Sequence, residues 1–237
     1  LRLNQYLSHH GFAPSRRKAD HLILAGKVFI NGENVRDFSI QVKDSDLVLV
    51  RGVFKEISKN QNTPDVIAYF KPKGLLCSHS DPHSKDTIFS KLPKSFSRYK
   101  IAGRLDQDSR GLVLLLKDGK WQHQITHPSI GFEKEYIVKI DGLEEWKDQF
   151  SKQIIKGIFL DGEWLQFRKI KQMEKNSFKV ILTEGKKREI RRVFQYFGYK
   201  VSDLCRTRIG NVGLDQLKIQ EGEFAEINLQ KIFGNDN

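Results

Sequence analysis

The consecutive residues Gly103-Arg104-Leu105-Asp106-Gln107-Asp108-Ser109-Arg110-Gly111-Leu112 put two carboxylates and two guanidinium groups into a glycine-bounded turn that feeds an apolar strand. A strand can hold a turn carboxylate rigidly in place. A carboxylate beside a guanidinium stays ionised and can serve as a nucleophile, a base or a stabiliser of positive charge. From spacing alone the plainer reading prevails: an acidic surface loop with a solvated arginine, since turns commonly use Asp.

Other chemistries find less support. The chain has no GxSxG, HExxH, Walker A or GxGxxG sequence, so a serine hydrolase, a zincin, a phosphoryl-transfer enzyme and a dinucleotide enzyme lack their signatures. His79 and His83 are four apart, as are His123 and His127. On a helix each pair could face one metal ion. The first pair lies in a Ser/Asp/Pro-rich loop and the second ends at Pro128, and neither has a third ligand at recognisable spacing. No metal site and no cofactor are therefore expected. Cys77 and Cys205 are the only cysteines. They make neither a disulfide framework nor a four-cysteine zinc site, and they favour a reducing, cytoplasmic setting with both thiols partly buried and inert.

The elements that must position these residues follow from periodicity. Leu3, Tyr6 and Leu7 recur at helical spacing until Gly11 and Pro14 interrupt. Ser15 caps a second predicted helix with the apolar stripe Ala19, Leu22 and Ile23. Val28-Phe29-Ile30 then meets Asn31-Gly32, a hairpin turn signal. Residues 55–64 are polar and end in proline, and read as a linker. Beyond them strands dominate: 66–70, 112–116, 136–140, then 158–160 and 164–170 around the turn Asp161-Gly162. Phe178, Val180 and Leu182 alternate with polar residues. One helix is predicted over about Lys187–Phe197, with Ile190, Val193, Phe194 and Phe197 inward, Arg188, Arg191, Arg192 and Gln195 outward, and Gly198 as its stop. The class is α+β, with a mixed, mainly antiparallel sheet flanked by helices.

Net charge is +12 and the isoelectric point about 9.6. Residues 1–60 carry ten Lys/Arg against six Asp/Glu, and the remainder 31 against 23. Both parts are basic, so both can touch a polyanion, with nucleic acid the first expectation. No apolar run approaches the ~20 residues that cross a bilayer, and no membrane partner is expected.

Read together, several stretches resemble one known family along nearly the whole chain. Gly-Arg-Leu-Asp-x-Asp-Ser-x-Gly-Leu at 103–112 is similar to the catalytic motif of pseudouridine synthases of the RsuA/RluB type. Residues 2–34 resemble the S4 RNA-binding domain. Lys71-Pro72-Lys73-Gly74 resembles the loop that opens the catalytic domain, and Lys134-Glu135-Tyr136 the family's Lys-x-Tyr. Residues 184–192 resemble its basic third motif, and Arg206-Thr207-Arg208-Ile209-Gly210 with Gly222-Glu223-Phe224 its C-terminal end. The sequence departs from the usual pattern at Lys186, where Arg is commoner, and at Glu189, a position that is often Gln.

The resemblance implies an S4-like α/β RNA-binding domain with its linker over 1–60 and a catalytic domain over 61–237. It implies site-specific isomerisation of uridine in ribosomal RNA, with 23S slightly preferred over 16S, by a cytoplasmic monomer acting on RNA or a pre-ribosomal particle. Asp106 falls on the catalytic aspartate, Tyr136 on the tyrosine that stacks on the flipped base, and Arg104 on the arginine associated with flipping. Arg191 is the best match for the basic partner of the aspartate, with Arg192 beside it as the alternative. RNA contacts are expected from Arg2, Arg16, Arg17, Lys18, Lys27, Lys71, Arg188, Arg192, Arg206 and Arg208. A non-enzymatic RNA-binding or ribosome-assembly factor, and a metal-dependent nuclease using the histidines, are the competing readings.

Overall fold

The computed structural model describes residues 1–43, 46, 48–50, 64–82, 84–127, 130–142 and 146–233, apart from the side chain of Lys120. The chain divides into two compact units, Leu1–Asn62 and Thr63–Asn237. Of the linker expected over 55–64, all but Pro64 lies outside the described residues.

In the first unit α1 (Leu3–His9) and α2 (Arg16–Leu24) precede the strands β1 (Val28–Ile30), β2 (Glu33–Val35) and β3 (Val48–Val50). The Ser15 hydroxyl accepts a hydrogen bond from the Lys18 amide, so the expected cap starts α2. Asn31 (φ 51°) and Gly32 (φ 88°) both take left-handed backbone, as a tight hairpin between β1 and β2 requires. Leu3, Leu7, Ala19, Ile23 and Val28 close a core. Arg2, Arg16, Arg17, Lys18 and Lys27 are all exposed.

The second unit opens with β4 (Val66–Lys71), α3 (Ile88–Lys91), β5 (Lys100–Ala102) and β6 (Arg110–Leu116). Then come α4 (Gly119–Thr126), β7 (Lys134–Asp141), α5 (Asp148–Lys156), β8 (Ile158–Leu160) and β9 (Glu163–Leu165). It ends with β10 (Lys169–Glu174), β11 (Ser177–Leu182), α6 (Glu189–Tyr196), β12 (Lys200–Ile209), β13 (Val212–Gly213), α7 (Leu214–Leu217), β14 (Phe224–Ile227) and α8 (Leu229–Phe233). The main sheet runs β10-β11-β7-β12-β6-β4-β14, with β5 also on β6 and β13 on β12. Among the pairs of strands in the described residues β12–β6 alone is parallel, and it joins only Cys205 to Arg110 and Arg206 to Gly111. The hairpin β8–β9 stands apart as its own two-stranded sheet.

β6 is buried on both faces, which its unbroken Leu-Val-Leu-Leu-Leu run demands. Val113 and Leu115 face a core shared with Tyr136 and Val138 of β7 and with Ile190, Val193 and Phe194 of α6. Leu112, Leu114 and Leu116 face a second core with Val66, Ala68 and Ile125. This alternation is the period of two of a strand. The expected strand 164–170 is instead two: β9 and β10 belong to different sheets. The expected helix 187–197 is shorter at its start, because Arg188 has φ 52° and cannot continue a right-handed helix backward. The helices α4 and α5 lie in stretches that the sequence reading left unassigned.

Candidate active site

Asp106 lies on the connection from β5 to β6, and contacts from the stretch 71–77, from β12 and from the start of α6 hold that connection. Leu105 points inward and joins the core beside Tyr136, and its amide donates to the Cys77 sulfur at 3.4 Å. With Leu105 anchored, its neighbours turn outward: Arg104 is exposed, and the Asp106 side chain is 39% exposed. The Gly74 amide donates to the Gln107 carbonyl at 2.8 Å, and the Gln107 side-chain amide donates back to the Gly74 carbonyl at 3.0 Å. The Lys71 ammonium donates to the carbonyls of Ser109 (2.6 Å) and Pro72 (2.8 Å).

Arg206 completes the mounting. Its guanidinium is 1% exposed and donates to the carbonyls of Gly103 and Leu112, each at 2.7 Å. One side chain of β12 thus grips both ends of the Asp106 loop. The crossing is tight at Gly111, where a Cβ would lie 2.3 Å from the Arg206 carbonyl oxygen and φ is +119°. Only glycine fits there.

The third basic segment supplies cations to this loop. Arg188 donates to both oxygens of Asp108, at 2.9 and 3.2 Å, and stands 3.9 Å from an Asp106 oxygen. Arg191 approaches Asp108 at 3.3 Å and donates to the Asp108 carbonyl (2.9 Å), the Ser109 hydroxyl (3.3 Å) and the Val201 carbonyl (2.9 Å). The expected Asp106 pairing is therefore corrected. The nearest guanidinium is that of Arg188, and Arg191 is occupied one turn deeper. Arg192 is no alternative, because it pairs with Asp161 and Glu163 on the β8–β9 turn.

The electrostatics follow from these contacts. Burial works against the Asp108 anion, but the Arg188 hydrogen bonds and the Arg191 charge outweigh it and hold this carboxyl below the usual range. Burial pushes the Lys71 ammonium down, and burial together with Arg206 does the same to Lys134. Beside the loop, Asp203 receives Arg110 and Lys73. Those partners overcome its burial and hold it at about 2.

Tyr136 is 6% exposed on β7, in register with Arg206, which is itself in register with Gly111. Leu105 next to Asp106, Tyr136 itself and Ile190 next to Arg191 pack into the same core. Two of the expected RNA contacts are corrected. Lys71 and Arg206 are buried and spend their donors on loop carbonyls. Two more guanidinium groups are engaged: Arg192 as above, and Arg208 with the Gly210 carbonyl (2.7 Å) and Glu133 (3.3 Å). Arg104 is exposed, and Arg188 is partly so. Sequence reasoning did not assign Asp108 a role, although the Asp-x-Asp spacing was a visible signal for a paired site. Both cysteines are buried, and burial raises both thiols. His83 lies outside the described residues, and His79 stacks on Phe89 at 4.1 Å. Among the described residues no three His, Cys, Asp or Glu side chains gather as metal ligands.

A family model described as RNA pseudouridylate synthase matches residues 65–196, and an S4 domain model matches residues 1–48. The chain belongs to the RNA pseudouridylate synthase family. This pseudouridine synthase is thus an isomerase with an N-terminal S4 RNA-binding domain. It is 37% identical over 240 residues to an uncharacterized RNA pseudouridine synthase of Rickettsia typhi, covering 99% of this chain and 96% of that one. It is 32% identical over 243 residues to the ribosomal large subunit pseudouridine synthase B of Vibrio cholerae, covering 98% and 73%. A solved structure described as a pseudouridylate synthase superposes with a TM-score of 0.68 at 29% identity, covering 98% of each chain.

Proposed function

We propose that this pseudouridine synthase isomerises a specific uridine of ribosomal RNA, with the large-subunit RNA preferred, and that Asp106 is the catalytic carboxylate. The observation that carries the reading is the Asp106 side chain itself. It is half-exposed on a loop fastened by Lys71, Gly74, Cys77 and Arg206, with Arg188 at 3.9 Å. The named relatives that act on the ribosomal large subunit support the RNA preference.

The reaction breaks the bond from ribose C1′ to uracil N1, turns the base, joins C1′ to C5, removes the C5 proton and leaves N1 protonated. Product and substrate are isomers, so no oxidant and no external group is needed. Reaching C1′ requires the nucleotide to leave its stack, at a cost of about a few kcal/mol. Arg104, exposed next to the catalytic loop, offsets this by holding phosphate. Attack on C1′ and elimination at the sugar both need Asp106 ionised, and the Arg188 guanidinium stands 3.9 Å from it. Tyr136 offers a flat face to the base and a hydroxyl tip for proton transfer. The exposed cations of residues 1–60 dock structured RNA through its phosphates, while residues 61–237 carry out the chemistry. The protein acts in the cytoplasm as a monomer without a cofactor.

The test compares the native chain with Asp106→Asn on transcripts of 23S and 16S ribosomal RNA, mapping pseudouridine base by base. The native chain should modify a single site, preferentially in 23S RNA. The variant should form no product while binding the same RNA. Turnover by the variant at the native rate refutes the role of Asp106, and modification of neither transcript refutes the substrate.

A further inference from the structure

The hairpin β8–β9 displays aromatic side chains that the catalytic reading does not use. Phe159 is 66% exposed, Trp164 is 52% exposed, and their rings are 6.5 Å apart. Tyr196, at the last position of α6, is 55% exposed. Phe159 and Tyr196 share a cavity of about 310 Å³ with Gln153, Lys156, Gly157 and Ile158. That size is at the lower end for a small-molecule site.

The hairpin is fastened to the third basic segment. Arg192 bonds to Asp161, Glu163 and the Leu160 carbonyl, and Lys186 donates to the Trp164 carbonyl. Gly157, at φ +100°, has the Trp164 indole directly against it: a Cβ there would lie 2.2 Å from the indole nitrogen. The aromatic platform therefore has a built floor and a fixed tie to α6.

Charge selects the occupant. Arg192 pairs with both acids of the hairpin turn. Lys156 and Gln153 are exposed, and their side chains have no hydrogen-bond or ion-pair partner among the described residues. A cavity with two open aromatic faces, a free ammonium and a free amide matches an unpaired nucleotide: base against ring, phosphate against lysine, base edge against amide. α6 spans 8 residues from just beyond Arg188 to Tyr196. At 1.5 Å per residue this puts Tyr196 about 12 Å along the helix axis from the backbone of Arg188, whose side chain stands by Asp106.

We propose that the cavity between β8, the end of α5 and Tyr196 binds an unpaired nucleotide of the substrate RNA near the target uridine, and so contributes to site selection. This rests on the reading of the protein as a ribosomal RNA pseudouridine synthase.

The experiment measures single-turnover pseudouridine formation against concentration of a 23S RNA transcript, and in parallel binding of that transcript by fluorescence anisotropy. The double variant Phe159→Ser/Tyr196→Ser should need about ten-fold more RNA for half-saturation in both assays. Its rate at saturation should stay within about two-fold of native. Phe159→Trp/Tyr196→Trp should recover the native midpoint, and ultraviolet cross-linking should mark peptides within residues 153–164 or 189–196. If the double variant melts earlier than the native chain, the two single variants carry the same comparison. Unchanged midpoints with normal product formation overturn the inference and leave the catalytic reading intact. A native dimer that the double variant dissolves, with RNA midpoints unchanged, also overturns it. If the native chain makes no product, the anisotropy and cross-linking arms still decide whether the cavity takes RNA.

Discussion

Arg188 holds Asp108 with two hydrogen bonds and at the same time stands 3.9 Å from Asp106. One guanidinium thus serves two carboxylates of similar exposure. Asp108 keeps Arg188 in place, and Arg188 presents its remaining charge to Asp106. Replacing it with Gln removes the charge and loosens Asp108. Arg188→Gln is expected to slow single-turnover pseudouridine formation about 10- to 100-fold, with Lys restoring only part because it lacks the two-pronged geometry. A native rate for Arg188→Gln would assign the supporting cation elsewhere.

Tyr136→Phe keeps the ring and loses the hydroxyl. Base stacking is retained, so RNA half-saturation should stay within about two-fold, while removal of the C5 proton slows by about ten-fold or more. Substrate deuterated at C5 reads this directly: the variant should show a larger isotope effect than the native chain. Equal isotope effects and equal rates would take Tyr136 out of proton transfer.

Asp203 links stability to pH. Its carboxyl is held at about 2 against an ordinary 3.8, and the charge-assisted bonds from Arg110 and Lys73 are the cause. The native state releases this proton more readily than the unfolded chain does. The stabilisation is therefore complete above pH ~4 and is lost as pH falls toward ~2. Asp203→Asn should reduce stability at pH 7 by about 1–2 kcal/mol, less than the whole shift because solvent screens both partners. Urea titrations should show the gap between variant and native chain closing over that acid window. A gap that persists at pH 2 would mean a packing defect instead.

Gly111→Ala tests the crossing of β6 and β12. The added methyl meets the Arg206 backbone at 2.3–2.4 Å, at a φ that alanine avoids. A loss of roughly 3 kcal/mol or more in unfolding free energy is expected, with activity falling alongside it. Calorimetry that shows no change in melting would refute the tight crossing.

Local features were legible in the chain. Asn31-Gly32 and Asp161-Gly162 announce hairpins, and both pairs adopt the left-handed backbone those turns need. Ser15 announces a helix start and caps it. The Asp106 loop stands out because glycines bound it and an apolar strand follows. Residues whose meaning is tertiary were illegible. Lys71 and Arg206 look like surface cations in the sequence, yet both are buried because loop carbonyls from elsewhere in the chain need donors. Arg188 rather than Arg191 faces Asp106 because Arg188 sits in left-handed backbone before α6, which spacing does not announce. The helix α5 carried a readable apolar spacing at Phe150 and Ile154, which the nearby strand signals overshadowed.

The grip of Arg206 on Gly103 and Leu112 sets an order of events during synthesis. Residues 103–109 leave the ribosome about a hundred positions before the side chain that clamps both ends of their loop. Until β12 has emerged and inserted beside β6, the loop has its ties to Lys71, Gly74 and Cys77 but not the clamp across its two ends. A nascent chain stalled short of that strand would carry the Asp106 loop without its Arg206 clamp.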